Sequence, residues 1–386
     1  MAYIPYATQT IDESDIKAVT EALTSGWLTQ GEAIPLFEQA FASLHGVEHA
    51  VAVCNATAAL HLACLALDVG PGKTVWTTPN SFVASANCAL YCGASVDFVD
   101  IDPVTRNMSA DALAAKLELA SAAGQLPAVV IPVHFAGLPC DLQRMRELAD
   151  QYGFAIVADA SHAVGATYQG LPVAQEHADI SVFSFHPVKI VTTAEGGMLA
   201  TRRADLAARL RLLRTHGITR DPAELEDKHQ GAWYYEQQRL GYNYRLTDLQ
   251  AALGTSQLRR LAQFQRRREA LAARYPRLLQ GLPLALPAVL PDRTHSWHLY
   301  VVEVTDAAAV DRATAFARMR EAGIGVNVHY TPIHLQPYYR RLGFGPGMFP
   351  HAEAYGRRAM SIPLYPTLSD PQQEEVVATL RRALTA

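Results

Sequence analysis

Charge is scarce in this sequence: only 18% of the 386 residues are Asp, Glu, Lys or Arg, and they nearly cancel to a formal net charge of −4. A weakly charged, slightly acidic chain offers no basic face on which a nucleic-acid backbone could be held, so no nucleic acid is expected as a partner. The 49% hydrophobic content suits a large globular enzyme with a sizeable core and a buried subunit surface. Long apolar runs are also missing. No stretch reaches the ~18 residues that span a bilayer, and residues 1–6 have neither the basic start nor the apolar core of a secretion signal. A soluble, cytoplasmic protein with no membrane partner is expected. Cysteine is sparse and odd in number: Cys54, Cys64, Cys88, Cys92 and Cys140. Scattered through apolar segments, they read as reduced, buried thiols and exclude a disulfide framework. Zinc-ligand spacings are lacking too, because Cys88 and Cys92 lie four apart with no further Cys or His to complete a set. His329 and His334, flanking Tyr330-Thr-Pro-Ile333, have no third ligand nearby. No metal is expected. Gly70-Pro-Gly-Lys73-Thr74 lacks the first glycine of a nucleotide-phosphate loop, since Leu67 stands there, and it precedes a strand, so it reads as a turn.

What is present is alternation. Residues 47–53, 74–78, 95–99, 128–133 and 154–159 read as short buried strands, and residues 57–67, 81–92 and 142–152 carry helical periodicity. The pattern predicts an α/β fold with a mostly parallel sheet covered on both faces. Ligand chemistry then belongs at the carboxyl ends of the strands. From 246 to about 279 the pattern is helical, and it breaks at 281–287. Beyond lie a strand (297–304), a helix (307–322), a strand (325–330) and two further helices. The expected organisation is a large domain over 1–255, then a connecting helix and a small α+β C-terminal domain over 256–386. The turn-rich stretch 220–231 is expected to be an exposed loop.

Three segments carry chemistry. In Val182-Phe-Ser184-Phe-His-Pro-Val-Lys189-Ile-Val-Thr-Thr-Ala-Glu195-Gly-Gly197, a strand-like run feeds a polar loop with one lysine before a second apolar run. Most loop lysines keep their head in solvent; the alternative is that Ser184 upstream and the glycine pair downstream frame a cofactor bearing a phosphate and an aldehyde. Asp159 closes the strand that precedes Ala-Ser-His162. It is either a helix N-cap or the acidic partner of a pyridine nitrogen, whose protonation makes the ring a better electron sink. In Asn55-Ala56-Thr57 a strand passes straight into an apolar helix, which is either a plain cap or a phosphate site built from free amides and the helix dipole. Phe82 is either core or a stacking face for a flat heteroaromatic ring.

Together these segments resemble the DegT/DnrJ/EryC1/StrS sugar aminotransferases, within the fold-type I pyridoxal-phosphate enzymes, nearly end to end. The markers are Ser25-Gly-Trp-Leu-Thr-Gln-Gly31, Asn55-Ala-Thr57, Thr78-Pro-Asn-Ser-Phe-Val-Ala84, Pro132-Val-His-Phe-Ala-Gly137, Asp159-Ala-Ser-His-Ala-Val-Gly-Ala166, Ser184-Phe-His-Pro-Val-Lys189, Ala194-Glu-Gly-Gly197 and Gly241-Tyr-Asn-Tyr-Arg245-Leu-Thr-Asp248. The resemblance implies pyridoxal 5′-phosphate as cofactor, with pyridoxamine 5′-phosphate as its aminated form. It further implies Lys189 as the Schiff-base lysine and proton carrier, and Asp159 as the partner of the ring nitrogen. Asn55, Ala56, Thr57 and Ser184 would hold the phosphate, and Asn243 would reach across from a second subunit. Phe82 would stack on the ring and His162 would sit near its O3′. A homodimer with shared active sites is therefore implied. Asn55 departs from the serine common in relatives, although an amide can still donate a hydrogen bond.

By the same resemblance Tyr6, Gly26, Trp27, Leu28, Thr29, Arg245, Asn327, Val328, His329 and Tyr330 line the sugar-nucleotide pocket. His216-Gly-Ile-Thr-Arg220, Tyr242-Asn-Tyr-Arg245 and His334-Leu-Gln-Pro-Tyr-Tyr339 resemble the branch serving pseudaminic acid biosynthesis. That branch implies transfer of an amino group from L-glutamate, which leaves as 2-oxoglutarate, to UDP-2-acetamido-2,6-dideoxy-β-L-arabino-hexos-4-ulose. The product is UDP-4-amino-4,6-dideoxy-N-acetyl-β-L-altrosamine. The rivals are an aminotransferase for another UDP-linked 4-keto-sugar such as a UDP-4-keto-pentose, a C3 dehydratase, and a non-catalytic cofactor-binding regulator. Lys189 argues against the dehydratases, which carry histidine there.

Overall fold

The computed structural model describes residues 3–385 except 176, 228 and 229. Helices α1 (Glu13–Thr24) and α2 (Ala33–His45) lead into β1 (His49–Val53) and α3 (Ala56–Ala66). Then follow β2 (Thr74–Thr77), α4 (Ala84–Tyr91), β3 (Ser95–Phe98), α5 (Ala110–Ala122), β4 (Val129–Ile131), α6 (Leu142–Tyr152) and β5 (Ala155–Asp159). A short hairpin, β6 (Thr167–Tyr168) and β7 (Leu171–Pro172), precedes β8 (Ile180–Ser184), β9 (Gly197–Thr201) and α7 (Ala204–Arg214).

Seven of these strands form one sheet in the order β1-β9-β8-β5-β4-β2-β3, and β9 alone runs antiparallel to its neighbours. This is the mostly parallel, two-face-covered sheet that the alternation predicts. Both faces are dry because successive side chains of a strand point to opposite sides. In β1, Ala50 and Ala52 join a core with Phe37, Phe41 and Phe183, while Val51 and Val53 join the opposite core with Leu60, Leu62 and Val75.

The rest of the chain begins with β10 (Ile218–Thr219) and β11 (Glu236–Gln237), a pair that flanks the turn-rich stretch. Among its described residues that stretch has no helix or strand and is mostly exposed; 228 and 229 lie outside the described residues. The long helical pattern is two helices, α8 (Asp248–Arg259) and α9 (Leu261–Leu278), parted at Arg260. Beyond them come β12 (Leu284–Ala285), β13 (Arg293–Thr294), β14 (Tyr300–Val304), α10 (Arg312–Glu321), α11 (Pro337–Arg341), α12 (Pro350–Arg358), β15 (Ala359–Ile362) and α13 (Asp370–Ala383). A third core gathers Leu271, Tyr275, Tyr300, Val302, Met319, Met360, Val376 and Leu380 beside Ile4.

Two expectations need correction here. Residues 325–330 do not form a strand; they make a single bridge, Asn327 to Ser361, and Val326 joins the third core while 327–330 line the cavity described below. β14 pairs with β12 on one side and β15 on the other; β15 is only four residues long and follows a helix without a break, which leaves no turn signal to announce it. The helix expected at 307–322 starts only at Arg312, where the Asp311 carboxylate accepts the Thr314 N–H at 2.8 Å and caps it.

Candidate active site

Strand ends and one helix start converge on a cavity of about 580 Å³. β5 ends at Asp159, β8 at Ser184, and α3 begins at Ala56; all three line the cavity with Lys189. Asp159 is buried and caps no helix, since the chain turns directly after it. Its Oδ1 accepts the Ser161 N–H at 3.1 Å and its Oδ2 accepts the Ser85 hydroxyl at 2.6 Å. Ser85 Oγ in turn lies 2.7 Å from Ser81 Oγ. The carboxylate is thus held by hydroxyl and amide donors and aimed at the cavity.

The loop between β8 and β9 is stapled so that Lys189 faces inward. Phe185 N–H donates to Gly196 O at 2.9 Å, Thr193 N–H donates back to Phe185 O at 3.0 Å, and the Thr192 hydroxyl donates to Phe185 O at 3.1 Å. Phe185, Ile190 and Val191 are buried anchors on either side. The lysine therefore does not snorkel. Burial lowers its pKa from 10.5 to about 8, and the Asp159 carboxylate opposes that shift.

At the third corner, Asn55 Oδ1 accepts the Ala58 N–H at 2.8 Å and caps α3. The first-turn amides of Ala56 and Thr57 have no intrahelical partner by geometry, and both residues line the cavity with Ser184. β9 passes so close to this turn that a Cβ on Gly197 would stand 2.6–2.8 Å from the Asn55 carbonyl and the Ala56 nitrogen. A helix N-terminus with free amides, flanking hydroxyls and a glycine-lined approach suits a phosphate group. A lysine and a buried carboxylate in the same cavity suit the aldehyde and ring nitrogen of pyridoxal phosphate, so the residues present fit that cofactor.

Tyr6, Asn327, Val328, His329 and Tyr330 form the remaining wall. His329 Nδ1 is 2.7 Å from Ser361 Oγ, and burial followed by the Lys189 charge lowers its pKa to about 3. His162 is buried against His298 with ring centroids 4.4 Å apart. Phe82 is half exposed at the rim, 6.5 Å between centroids from Tyr330. Thirteen residues singled out in the sequence meet in this cavity: Tyr6, Asn55, Ala56, Thr57, Phe82, Asp159, His162, Ser184, Lys189, Asn327, Val328, His329 and Tyr330.

Gly26, Trp27, Leu28, Thr29, Asn243 and Arg245 do not line it. The segments they belong to lie together: Thr29 bridges Thr247, and Asp248 N–H donates to Leu28 O at 3.0 Å, while Tyr244 O accepts the N–H of Cys54, just before the cavity-lining Asn55, at 2.8 Å. Trp27 is 65% exposed, and the Arg245 Nε is buried with no hydrogen-bond partner. Sequence reasoning missed Ser85 and Ser161, which hold Asp159, and the cavity residues His186, Glu195 and His298. His298 had a signal in His295-Ser-Trp-His298, two imidazoles just before a buried strand. Ser85 had none, because its partner is 74 residues away.

All five cysteines are free, but Cys54 and Cys92 are only partly buried, which corrects the expectation that all are enclosed. His334 pairs with Glu353 at 3.0 Å, and no cluster of metal-ligating side chains occurs among the described residues. No helix among them is long and apolar enough to cross a membrane.

The sheet, the inward lysine, the strand-end carboxylate and the helix-borne phosphate cradle define a fold-type I pyridoxal-phosphate enzyme. The chain belongs to the DegT/DnrJ/EryC1/StrS aminotransferase family, which it matches over residues 9–381. It is 39% identical over 383 residues to the spore coat polysaccharide biosynthesis protein SpsC of Bacillus subtilis, covering 98% of this chain and 96% of that one. PseC of Helicobacter pylori, an aminotransferase involved in pseudaminic acid biosynthesis, superposes with a TM-score of 0.89 at 29% identity, covering 99% of each chain. The Streptococcus pneumoniae sugar aminotransferase Spr1654, solved with pyridoxal phosphate, superposes at 0.88 with 30% identity over 99% of this chain and 98% of that one. The protein is a sugar aminotransferase that uses pyridoxal phosphate.

Proposed function

We propose that the enzyme moves the amino group of L-glutamate to C4 of UDP-2-acetamido-2,6-dideoxy-β-L-arabino-hexos-4-ulose, giving UDP-4-amino-4,6-dideoxy-N-acetyl-β-L-altrosamine. The observation that carries the chemistry is Lys189 and Asp159 in one cavity with the α3 phosphate cradle. The likeness to PseC over the whole chain supports the choice of sugar. When bound, pyridoxal phosphate supplies an aldehyde that takes up the amino group and a ring that stores the electron pair left on the substrate carbon.

The chain's own residues do the rest. Ala56, Thr57 and Ser184 bind the phosphate, with Asn55 capping the helix that presents the amides. Asp159, fixed by Ser85 and Ser161, keeps a proton on the ring nitrogen. Phe82 covers a ring face. The Lys189 amine takes the proton from the substrate carbon and returns it on the other side of the transfer; burial, which lowers its pKa to about 8 in the cofactor-free cavity, favours the neutral amine that this role needs. Tyr6 and 327–330 form the sugar wall. Trp27, Thr29, Asn243 and Arg245, which do not line the cavity of their own chain, serve the cavity of a second copy, and the active enzyme is a homodimer with shared sites.

The first test is the absorbance of the purified protein with cofactor, before and after L-glutamate, then with UDP-linked 4-keto-sugars that carry or lack the 2-acetamido group. The expected result is a visible band that bleaches with glutamate and returns only with the acetamido sugar. Return with a UDP-4-keto-pentose instead would reassign the substrate. Sharing of sites is read by mixing inactive Lys189→Ala and Asn243→Ala proteins under exchange: shared sites regain activity in the mixed dimers, and unshared sites do not.

A further inference from the structure

Imidazoles crowd one end of the cavity, and the hydrogen bonds of one of them fix where its proton sits. His162 Nδ1 accepts the backbone N–H of Ala136 at 3.2 Å. A ring nitrogen that accepts carries no hydrogen, so the neutral imidazole holds its proton on Nε2. That Nε2 lies 3.2 Å from the Tyr330 phenolic oxygen. The N–H therefore donates and the phenol accepts, leaving the phenol's own hydrogen for another acceptor. Tyr330 lines the cavity beside Asp159 and Lys189.

The amide that fixes this arrangement is itself locked. Ala136 has φ 57° and Trp297 has φ 52°, left-handed conformations that non-glycine residues keep only where the surroundings over-determine them. Here two backbone segments interlock. His298 N–H donates to Ala136 O at 3.0 Å, Ser296 N–H to Gly137 O at 3.0 Å, and the Ser296 hydroxyl to His162 O at 2.8 Å. Behind them the buried Arg268 donates to the carbonyls of Trp297, His298 and Leu364 at 3.1, 3.3 and 2.9 Å. The groups facing the His162–Tyr330 pair are Asp159 from β5, Lys189 from the loop between β8 and β9, His295 and His298 from the segment before β14, and His329 and Tyr6 from the opposite wall. Burial above all, then Lys189 and the other imidazoles, lowers the His162 pKa well below 6.5; burial and Asp159 raise that of Tyr330. The imidazole is neutral and the phenol protonated.

We propose that His162 is a positioning residue whose Nε2–H bond to the phenolic oxygen directs the Tyr330 hydroxyl hydrogen at an oxygen of the bound reactant. Tyr330 is then a hydrogen-bond donor at the reacting carbon. This rests on the aminotransferase reading, in which each half-reaction holds a carbonyl oxygen at that carbon, of 2-oxoglutarate or of the keto-sugar.

Two measurements test it. In protein labelled with ¹⁵N-histidine and holding its cofactor, the signals lost on His162→Gln are expected to show a neutral Nε2–H tautomer from pH 8 down to 5.5. An Nδ1–H tautomer, or titration near the ordinary histidine value, would overturn the proposal and says nothing against the transaminase activity. In single-turnover kinetics, Tyr330→Phe is expected to slow both half-reactions roughly 100-fold, the scale for losing one donor to a developing charge. Cofactor affinity and Tm should stay unchanged. His162→Phe should match that loss, His162→Gln, which keeps a donor, should recover most of it, and the double variant should be no slower than either single one. Multiplying losses, or a loss confined to cofactor affinity, would show that His162 acts on its own. A wild-type protein that never takes up the amino group fails the functional reading instead, and the tautomer result still decides the pairing.

Discussion

Lys189 illustrates how a single residue couples stability to chemistry. In the protein freed of cofactor its pKa is lowered to about 8 by burial, against 10.5 in the unfolded chain. Between those values the unfolded state binds more protons, so this lysine makes stability rise with pH across that window, and the full penalty of the buried charge applies below it. Lys189→Met should therefore raise the Tm of the cofactor-free protein at pH 7, and the gain should shrink as pH climbs from 8 to 10.5. Equal melting of the two proteins at pH 7 would mean that the ammonium is solvated. The sequence identified this residue because one lysine in a clamped loop between buried strands is chemically conspicuous; its snorkelling alternative was ruled out only by the inward turn of the loop.

At the scale of elements, the approach of β9 to the start of α3 decides whether a phosphate can be held. A methyl on Gly197 would press on the Asn55 carbonyl and the Ala56 nitrogen, both backbone atoms that cannot step aside without tilting the helix N-terminus. Gly197→Ala should weaken cofactor binding by more than about tenfold, or ~1.4 kcal/mol, as read by equilibrium titration with pyridoxal phosphate. Retained affinity would place the phosphate elsewhere. Most elements were legible because β-branched runs and helix caps are local signals: α6 falls at the residues its periodicity marks, and β5 ends where Asp159 was expected to close it. The 325–330 segment was expected to be a strand and β15 was not foreseen, because each is short and the ladder beside β14 is decided by tertiary pairing.

At the scale of the whole molecule, six histidines among the described residues are held neutral by burial. His45 is lowered to about 4, His134, His295 and His329 to about 3, and His162 and His298 also lie well below 6.5. Each group whose folded pKa is depressed leaves the unfolded state binding more protons below 6.5, so stability falls as the pH drops from there toward the folded values, by up to ~1.4 kcal/mol per pH unit for each histidine. The urea midpoint should drop steeply between pH 6.5 and 5. A flat profile would mean that these rings take up protons in the fold with little cost.

The sequence alone determined the parts whose chemistry is local: a lysine between strands, a carboxylate at a strand end, a capped helix start and the alternating pattern that stacks them around one parallel sheet. It also carried the family, because those parts recur in a fixed order along the chain. Tertiary structure decided what depends on residues far apart in sequence. It set Ser85 against Asp159, locked the Ala136 amide onto His162 through the segment at 296–298, and faced His162 toward Tyr330 across 168 positions. It also left residues 26–29 and Arg245 out of the lining of the cavity they were expected to line. Hydrogen-bond direction and burial arise only when separate elements pack, and no spacing within one segment encodes them.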